Sequence, residues 1–411
     1  MLTKIWEDYK KLERPILRVI LANLFLNFIN SAFVVLLPYY LDQQGYKDYQ
    51  FARFVSSRFG AVMFFALPLG FFISGRPLLP LFLIGTLTVP FSSLLIIGSA
   101  HHRWDLGIYC FTILWGLGFL LFNISALPFI LRNANVGTRS EAIALNASVW
   151  GITQCLCSFF IFLFQKIHPI WFQERNLLIL FSILGFFGFI SILRLKISEK
   201  VPATENKRYQ LSNYDWGRII YVVLPNFIIG LGAGLTIPFM PLFFKNIFHL
   251  ESEDFSLFNS LTAVGVFLTS VIVPALQKQY GSLVAIIWSQ SAAVVALILL
   301  ASTECYSTWP WALSFAIFCY MLRQPLMNMA GPALSELGMS YAGERNQEMV
   351  GALQSSLWSG SWFLSSQIFG GLRKAGFPYY GVFLITSAFY MVGIFFCYIL
   401  IRKYRVQFAS V

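Results

Sequence analysis

The sequence predicts an all-α membrane protein whose twelve transmembrane helices form two pseudo-symmetric six-helix bundles. Among its 411 residues 57% are apolar and only 11% are charged, whereas ordinary soluble domains carry roughly 25% charged residues. The apolar residues fall into twelve stretches of about 20 residues, the length that a helix needs to cross a bilayer. Because these stretches are too long for the roughly ten-residue strands of a membrane barrel, helices are the structure that satisfies their backbone in lipid.

Six apolar stretches lie on each side of one polar segment. The predicted spans cover residues 16–41, 50–74, 79–98, 107–131, 141–165, 176–195, 217–244, 254–277, 281–302, 309–334, 347–371 and 377–401. Residues 196–216 form the only long, charge-dense and Pro-containing polar stretch. We therefore predict a first bundle over residues 1–195, a cytoplasmic linker over 196–216 and a second bundle over 217–411.

The loops between the predicted spans carry an unequal share of the basic residues. With the amino terminus inside, the inner segments hold eighteen Lys and Arg residues and the outer loops hold seven. Positively charged loops stay in the cytoplasm, which places both termini there in a multi-pass protein of the bacterial inner membrane. The net charge of +11 then faces anionic lipid, and no nucleic-acid partner is expected.

The two halves share a short internal repeat. A shift of 208 residues lays Leu145–Gly151 over Leu353–Ser359, so that Trp150 matches Trp358. The two copies occupy the fifth span of each half, and each follows a charged loop. Duplicated halves of this kind are typical of secondary transporters.

Two residue patterns and the two-half organisation give the chain a family resemblance. The turn after span two contains Gly70, Ser74 and Arg76, and the turn after span eight contains Lys278 and Gly281. Over essentially its whole length the chain resembles the major facilitator superfamily of secondary transporters, with Ser74 where that family has Asp. The second pattern, Leu322–Pro332 in span ten, looks like the same span of many uncharacterised members. The resemblance implies gating at these turns. Glu141, Glu336 and Arg345 at cytoplasmic helix ends are further candidates for gating contacts. The two glutamates are also the remaining candidates for proton coupling, which is disfavoured because no acidic residue lies at the centre of a span.

Span one carries three amides at helical spacing. Asn23, Asn27 and Asn30 follow the i, i+4, i+7 pattern and therefore share one helix face. Polar groups at mid-span are costly against lipid, so they line a cavity or bond a neighbouring helix. Both interpretations remain open, and the first makes the three amides candidates for binding a hydroxylated or amide-bearing solute.

Arg323 is the sharpest single candidate because it lies near the middle of span ten. No acidic residue occupies the centre of any predicted span, and an arginine at a helix centre costs about 2.5–3.5 kcal/mol. One interpretation is an anchor for a carboxylate or phosphate, made by the guanidinium fork. The other is hydrogen bonding to carbonyls at a helix broken near Pro325. Gln324 and Asn328 lie beside Arg323 and complete the candidate site.

Further polar and aromatic residues at mid-span are candidate binding residues or cavity walls. They are Asn123, Asn226, Trp115, Trp150 and Trp358. In span seven, the glycines and prolines Gly230, Gly234, Pro238 and Pro241 favour either a bend of the helix or close packing against a neighbour, with equal weight. Arg58 in span two is expected to snorkel to the membrane interface rather than approach a vestibule.

Absent motifs narrow the function. No convergent set of catalytic side chains and no nucleotide-binding loop occurs in the sequence, so neither an enzyme nor an ATP-driven pump is expected, and no cofactor or metal is implied. The leading hypothesis is a monomeric secondary or facilitative transporter of a small polar or anionic solute, with a possible coupling ion. A carrier that expels drugs or amphiphiles, and a non-transporting scaffold or sensor on the same fold, are the alternatives.

Overall fold

The computed structural model describes residues 12–73, 76–135, 138–195 and 214–408, and these residues are almost entirely helical. The helices are α1 Arg14–Gln43, α2 Asp48–Phe72, α3 Leu79–His101, α4 Asp105–Asn133, α5 Arg139–Ile167, α6 Glu174–Leu193, α7 Trp216–Thr236, α8 Met240–Phe248, α9 Ser252–Leu283, α10 Ser289–Ser302, α11 Ala312–Ala342, α12 Glu344–Lys374 and α13 Tyr379–Phe408. Every predicted span falls on one of these helices or on a consecutive pair. The predicted linker, apart from residues 214–216, lies outside the described residues.

Prolines and one glycine set several helix boundaries. Pro15 and Pro80 lie in the first turns of α1 and α3, where a missing N–H has no intrahelical partner to lose. A 3-10 turn at Ile237–Phe239, which contains Pro238, separates α7 from α8 within one predicted span. Near the end of α9, Gly281 adopts φ 81° and ψ 168°, a backbone conformation that a side chain would strain. This break gives the turn expected after span eight.

Nine helical stretches of the described chain are long and apolar enough to cross a membrane. They include all six helices from α1 to α6, the joined α7 and α8, the stretch Val284–Tyr306 and most of α13. The protein is therefore a multi-pass integral membrane protein. The helices α9, α11 and α12 are as long but more polar, and α12 alone carries six serines between residues 355 and 366. The count of twelve crossings stays a prediction.

The chain divides into two compact units. The first contains the described residues of Met1–Gly45 and Ser57–Arg208, and the second contains those of Tyr46–Ser56 and Tyr209–Val411. In the first unit α1 packs on α5 and α6, and α3 packs on α4 and α6. In the second, α7 packs on α12 and α13, and α10 packs on α11 and α13. The same four pairings occur in both units, which is the pseudo-symmetry that the internal repeat predicted.

The glycines of α7 serve close packing against neighbouring helices. A Cβ atom on Gly230 would lie 2.3 Å from Ser361 Oγ, and one on Gly234 would lie 2.9 Å from Ser365 Cβ. Small residues at such contacts let helix backbones approach in a membrane protein. The structure supports both interpretations of span seven, at different residues. The two glycines lie within a continuous helix and serve packing, whereas the α-helix is interrupted at the 3-10 turn that contains Pro238.

We expect Gly234→Ala to lower the free energy of unfolding by about 1–3 kcal/mol, the usual cost of overpacking a tight contact. The added methyl group would also lie 3.0 Å from Trp362 Cα, and a backbone atom cannot move aside cheaply. Gly151→Ala in α5 is the control, since no atom lies within 4 Å of its added Cβ. Unfolding in a detergent titration measures both variants, and equal stability would contradict the packing role.

Candidate functional site

Two of the three asparagines of α1 bond to each other and to α5. Asn27 Nδ2 donates to Asn23 Oδ1 at 2.7 Å, and Asn23 Nδ2 donates to Asn146 Oδ1 at 2.9 Å. Asn23 is buried, whereas Asn27 remains half-buried. This ladder of amides joins α1 to α5 inside the first unit and uses part of the hydrogen-bonding capacity that a solute would need.

The third asparagine holds Arg58 inside the first unit. Arg58 Nη2 donates to Asn30 Oδ1 at 2.9 Å, and its guanidinium carbon lies 4.0 Å from the centroid of the Trp115 ring. A cation over an aromatic face at this distance is attracted by the ring. Trp115 is buried against Phe33 and Phe119. The snorkelling expected for Arg58 is therefore wrong, since the aromatic face and the amide supply a favourable site within the unit.

Within the described residues the charge of Arg58 forms no ion pair. Its guanidinium donates one hydrogen bond, to Asn30, and lies over aromatic rings, so most of its five N–H donors remain available. A Cβ on Gly116 would lie 2.8 Å from the Arg58 carbonyl oxygen; the glycine thus lets α4 approach α2 at this level. Arg58 lies ten residues into α2, roughly 15 Å along the helix axis.

Arg323 is enclosed in the second unit. It is 1% exposed, and its Nη2 donates to Tyr390 Oη at 3.0 Å while Nη1 donates to Gln324 Oε1 at 3.1 Å. Its Nε atom is buried without a hydrogen-bond partner in the described part of the chain. The helix α11 continues through Pro325, so the predicted bonding to carbonyls of a broken helix is wrong; a tyrosine hydroxyl and an amide take that place.

The other amide candidates are exposed or bond to their own helices. Asn328 Nδ2 donates to the Gln324 carbonyl oxygen at 2.9 Å, and Asn226 Nδ2 donates to the Val222 carbonyl oxygen at 3.2 Å. Both side chains are half-buried, and Asn123 on α4 is exposed. Gln324 is thus the one predicted residue that the structure brings into direct contact with Arg323.

The three candidate tryptophans differ in exposure. Trp115 is 3% exposed and supports Arg58, whereas Trp150 and Trp358 are 46% and 39% exposed. Trp358 lies near Trp362 on the same helix, with ring centroids 6.2 Å apart. The two exposed rings occupy the positions that the internal repeat relates, and their role as cavity walls stays a prediction.

The predicted gating residues have varied surroundings. The Arg76 guanidinium carbon lies 3.9 Å from the Phe72 ring centroid, and the exposed Gly70 has no atom within 4 Å of a built Cβ. Glu336 Oε2 accepts a hydrogen bond from Gln277 Nε2 at 3.1 Å. Glu141 Oε2 is buried and finds no donor among the described residues. Ser74 and the side chains of Lys278 and Arg345 lie outside the described part, and Gly281 forms the break in α9.

A carboxylate at the start of α1 joins the ends of three helices. Glu13 Oε1 accepts from the Asn135 backbone N–H at 2.8 Å and from the Thr138 hydroxyl at 3.1 Å. Burial alone would raise the pKa of Glu13, but these hydrogen bonds to the ionised form outweigh it and hold the pKa below its ordinary value. The contact holds the residues just after α4 and just before α5 against the start of α1.

A hydrogen-bonded cluster that was not predicted from the sequence surrounds Asp48 in the second unit. Asp48 Oδ2 accepts from Arg373 Nε at 2.9 Å and from the Tyr379 hydroxyl at 2.5 Å, and Oδ1 accepts from Asn246 Nδ2 at 3.2 Å. The cluster attaches the first turn of α2 to α8, α12 and α13. The only indication of this cluster in the sequence is an acidic residue directly before an apolar span. Acidic residues are common at helix starts, so this indication is not specific.

The chain has the same fold as several solved transporter structures. The chain matches the POT family transporter PepTSo with a TM-score of 0.74 at 12% identity, covering 96% of this chain and 99% of that one. It matches a bacterial homologue of the iron transporter ferroportin with a TM-score of 0.73 at 14% identity, covering 94% and 98%. It matches a D-xylose-proton symporter with a TM-score of 0.72 at 13% identity, covering 93% of this chain and 96% of that one.

These likenesses establish the fold of the chain. It is the fold of the major facilitator superfamily transporters, as the sequence patterns predicted. No protein-family model matches the chain, and no curated protein matches it either. At 12–14% identity the likeness carries the architecture, whereas the solute has to be argued from this chain's own residues.

Proposed function

We propose that this protein is a secondary transporter that moves a small polar or anionic solute across the membrane by alternating access of two six-helix halves. Residues 1–195 and 217–411 form the halves, and 196–216 link them. The fold supports this proposal, since structural neighbours with it include a D-xylose-proton symporter, a nucleoside transporter and a bacterial homologue of the iron transporter ferroportin. The chemical variety of these cargoes leaves the choice of solute to the residues of each protein.

The observation that carries the anionic part of the proposal is the pair of mid-helix arginines without acidic partners. Arg58 and Arg323 lie ten and eleven residues into their helices, and no carboxylate of the described residues forms an ion pair with either. An uncompensated charge at this depth costs about 2.5–3.5 kcal/mol. A bound carboxylate or phosphate would supply the missing charge and accept the unused N–H donors.

The positions of the acidic residues favour anion exchange or facilitated diffusion over proton-coupled transport. Proton-coupled transport requires a group that changes protonation within the membrane, and the acidic candidates, Glu141 and Glu336, lie near helix ends. We place both termini in the cytoplasm of a bacterial cell, on the charge asymmetry of the loops, and regard the protein as a monomer without enzymatic activity.

Thermal-shift screening of the purified protein tests the proposal. The library contains sugars, organic acids, phosphate esters and amphiphilic drugs, because a ligand that binds the folded state raises its melting temperature. We expect stabilisation by an organic anion, and we expect Arg323→Ala to reduce it by weakening the positive potential and freeing Tyr390. Arg323→Lys retains charge without the planar fork, so normal transport in this variant would show that the fork is not required.

Two other outcomes would favour the alternatives. Stabilisation by amphiphiles alone, unchanged in Arg323→Ala, would indicate drug efflux, for which the exposed Trp150 and Trp358 offer apolar contacts. Absence of any ligand, with full tolerance of Arg323→Ala and Asn27→Ala in cells that require the gene, would indicate a scaffold or sensor rather than a transporter.

A further inference from the structure

A groove of about 620 Å³ lies at the carboxyl-terminal end of α13 in the second unit, where Tyr341 of α11 faces it. The α13 residues that line it include Phe395, Tyr398, Arg402 and Val406. Their spacing of three or four residues places them along one stripe of the helix. The groove therefore follows the helix axis instead of entering the interior of the unit.

The chemistry of the stripe changes along the helix. Phe395 is 59% exposed and Tyr398 is 45% exposed, and both belong to the apolar part of a membrane-length stretch that ends at Val406. Arg402 follows seven residues after Phe395, roughly 10 Å further along the axis. Along the groove, the apolar ring of Phe395 is followed by the phenol of Tyr398 and then by the cation of Arg402. A lipid has matching groups in the same order, namely its acyl chains, its ester region and its phosphate.

In the described part of the chain, no acidic residue lines the basic end of the groove. Lys403 Nζ lies 3.4 Å from the centroid of the Tyr221 ring, so a cation–π contact holds it in place. Arg402 is exposed, and none of the residues that line the groove is acidic. The two cations are therefore available to a phosphate, and their positions at a helix end correspond to the head-group region of a bilayer.

We propose that this groove binds an anionic glycerophospholipid. Arg402 and Lys403 contact its phosphate, Tyr341 and Tyr398 flank the glycerol and ester region, and an acyl chain lies over Phe395. A soluble phosphate would gain the two cations but would leave the exposed apolar part of the groove unfilled. The proposal is independent of which solute the protein transports.

Lipid titration of the full-length, delipidated protein tests the site. The probes are phosphatidylglycerol and phosphatidylcholine with identical acyl chains, with glycerol phosphate as the soluble head group, and native mass spectrometry counts bound molecules. We expect phosphatidylglycerol to bind at least tenfold more tightly than phosphatidylcholine, and Arg402→Gln to remove most of that difference. Arg405→Gln is the matched control, because Arg405 is an exposed cation on the same turn of helix that does not line the groove.

Three results would overturn the proposal. Equal binding of the two lipids by the wild-type protein would exclude recognition of the negative charge. Equal losses in Arg402→Gln and Arg405→Gln would indicate attraction by general surface charge. Displacement of the lipid by glycerol phosphate alone would make the ligand a soluble anion. The melting temperature of each variant in phosphatidylcholine shows whether the variant has remained folded. If Arg402→Gln does not fold, Lys403→Gln provides a second test of the same site.

Discussion

Replacement of Arg58 by glutamine is expected to weaken binding of an anionic solute by roughly 10- to 150-fold, while the protein remains folded. A hydrogen bond to a charged group contributes about 1.5–3 kcal/mol, and each 1.4 kcal/mol changes affinity tenfold. Stability should not fall in parallel, because the wild-type guanidinium has no carboxylate to lose and removing an uncompensated buried charge relieves a cost. Loss of binding with retained or raised melting temperature would distinguish recognition from support of the fold.

Arg53→Gln is the control for this experiment. Arg53 lies five residues earlier on the same helix, but its side chain is exposed and lies 5.9 Å from the Tyr49 ring. We expect Arg53→Gln to bind and transport the anion as the wild-type protein does. Uptake into liposomes of the anion found by thermal-shift screening measures both variants. An unchanged affinity in Arg58→Gln would place anion recognition elsewhere and leave Arg58 as part of the packing of α2 on α4.

The helices could be predicted because each is encoded locally. Runs of apolar residues of bilayer length define most of them, and the glycine at 281 marks the break after span eight. The fold followed from the number of runs on each side of the central polar segment and from the repeat around Trp150 and Trp358. The exact number of membrane crossings could not be derived from composition. The helix α12 contains buried serines, and these make it too polar to be recognised as a membrane span by its composition alone.

The partners of the polar side chains could not be predicted from spacing. Asn23, Asn27 and Asn30 share one face of α1, yet the first two bond toward α5 while Asn30 bonds Arg58 on α2. Which neighbour a polar group meets depends on how each helix is rotated and how closely its neighbours approach. At Arg58 that approach is set by Gly116 of α4, a residue with no polar signal of its own.

For Arg323, too, the sequence predicted the position of the side chain but not its hydrogen-bond partner. Its position, depth and lack of an acidic partner were evident from the sequence, but its burial and its bond to Tyr390 were not. Tyr390 lies 67 residues away in a span whose sequence gives no reason to select it among other tyrosines. The structure therefore makes Arg58 the more accessible guanidinium and leaves Arg323 reachable by a solute only if Gln324 or Tyr390 moves.

Asp48→Asn is expected to lower the free energy of unfolding by about 1–3 kcal/mol. This is less than the usual cost of breaking a fully buried ion pair, because the pair of Asp48 and Arg373 is partly exposed. The side chains of Asp48 and Arg373 are 12% and 20% exposed, and the mutation leaves the Arg373 guanidinium without its charge partner. It also replaces one of the two carboxylate oxygens by an N–H donor, so the hydrogen bonds from Tyr379 and Asn246 cannot both keep an oxygen acceptor on residue 48. Detergent-titrated unfolding of the purified protein measures the change.

Asp105→Asn separates the cluster from the general effect of an acidic residue at a helix start. Both aspartates lie in the first turn of a helix and interact with its dipole, but Asp105 is exposed. We expect a loss of only a few tenths of a kcal/mol in the control, within the range of surface substitutions. In a double-mutant cycle, Arg373→Gln should cost little once Asp48→Asn is present, because the two residues act through one contact. Additive losses would show that Arg373 stabilises the fold instead through its position 3.9 Å from the Tyr379 ring, with Asp48 contributing through its hydrogen bonds with Tyr379 and Asn246.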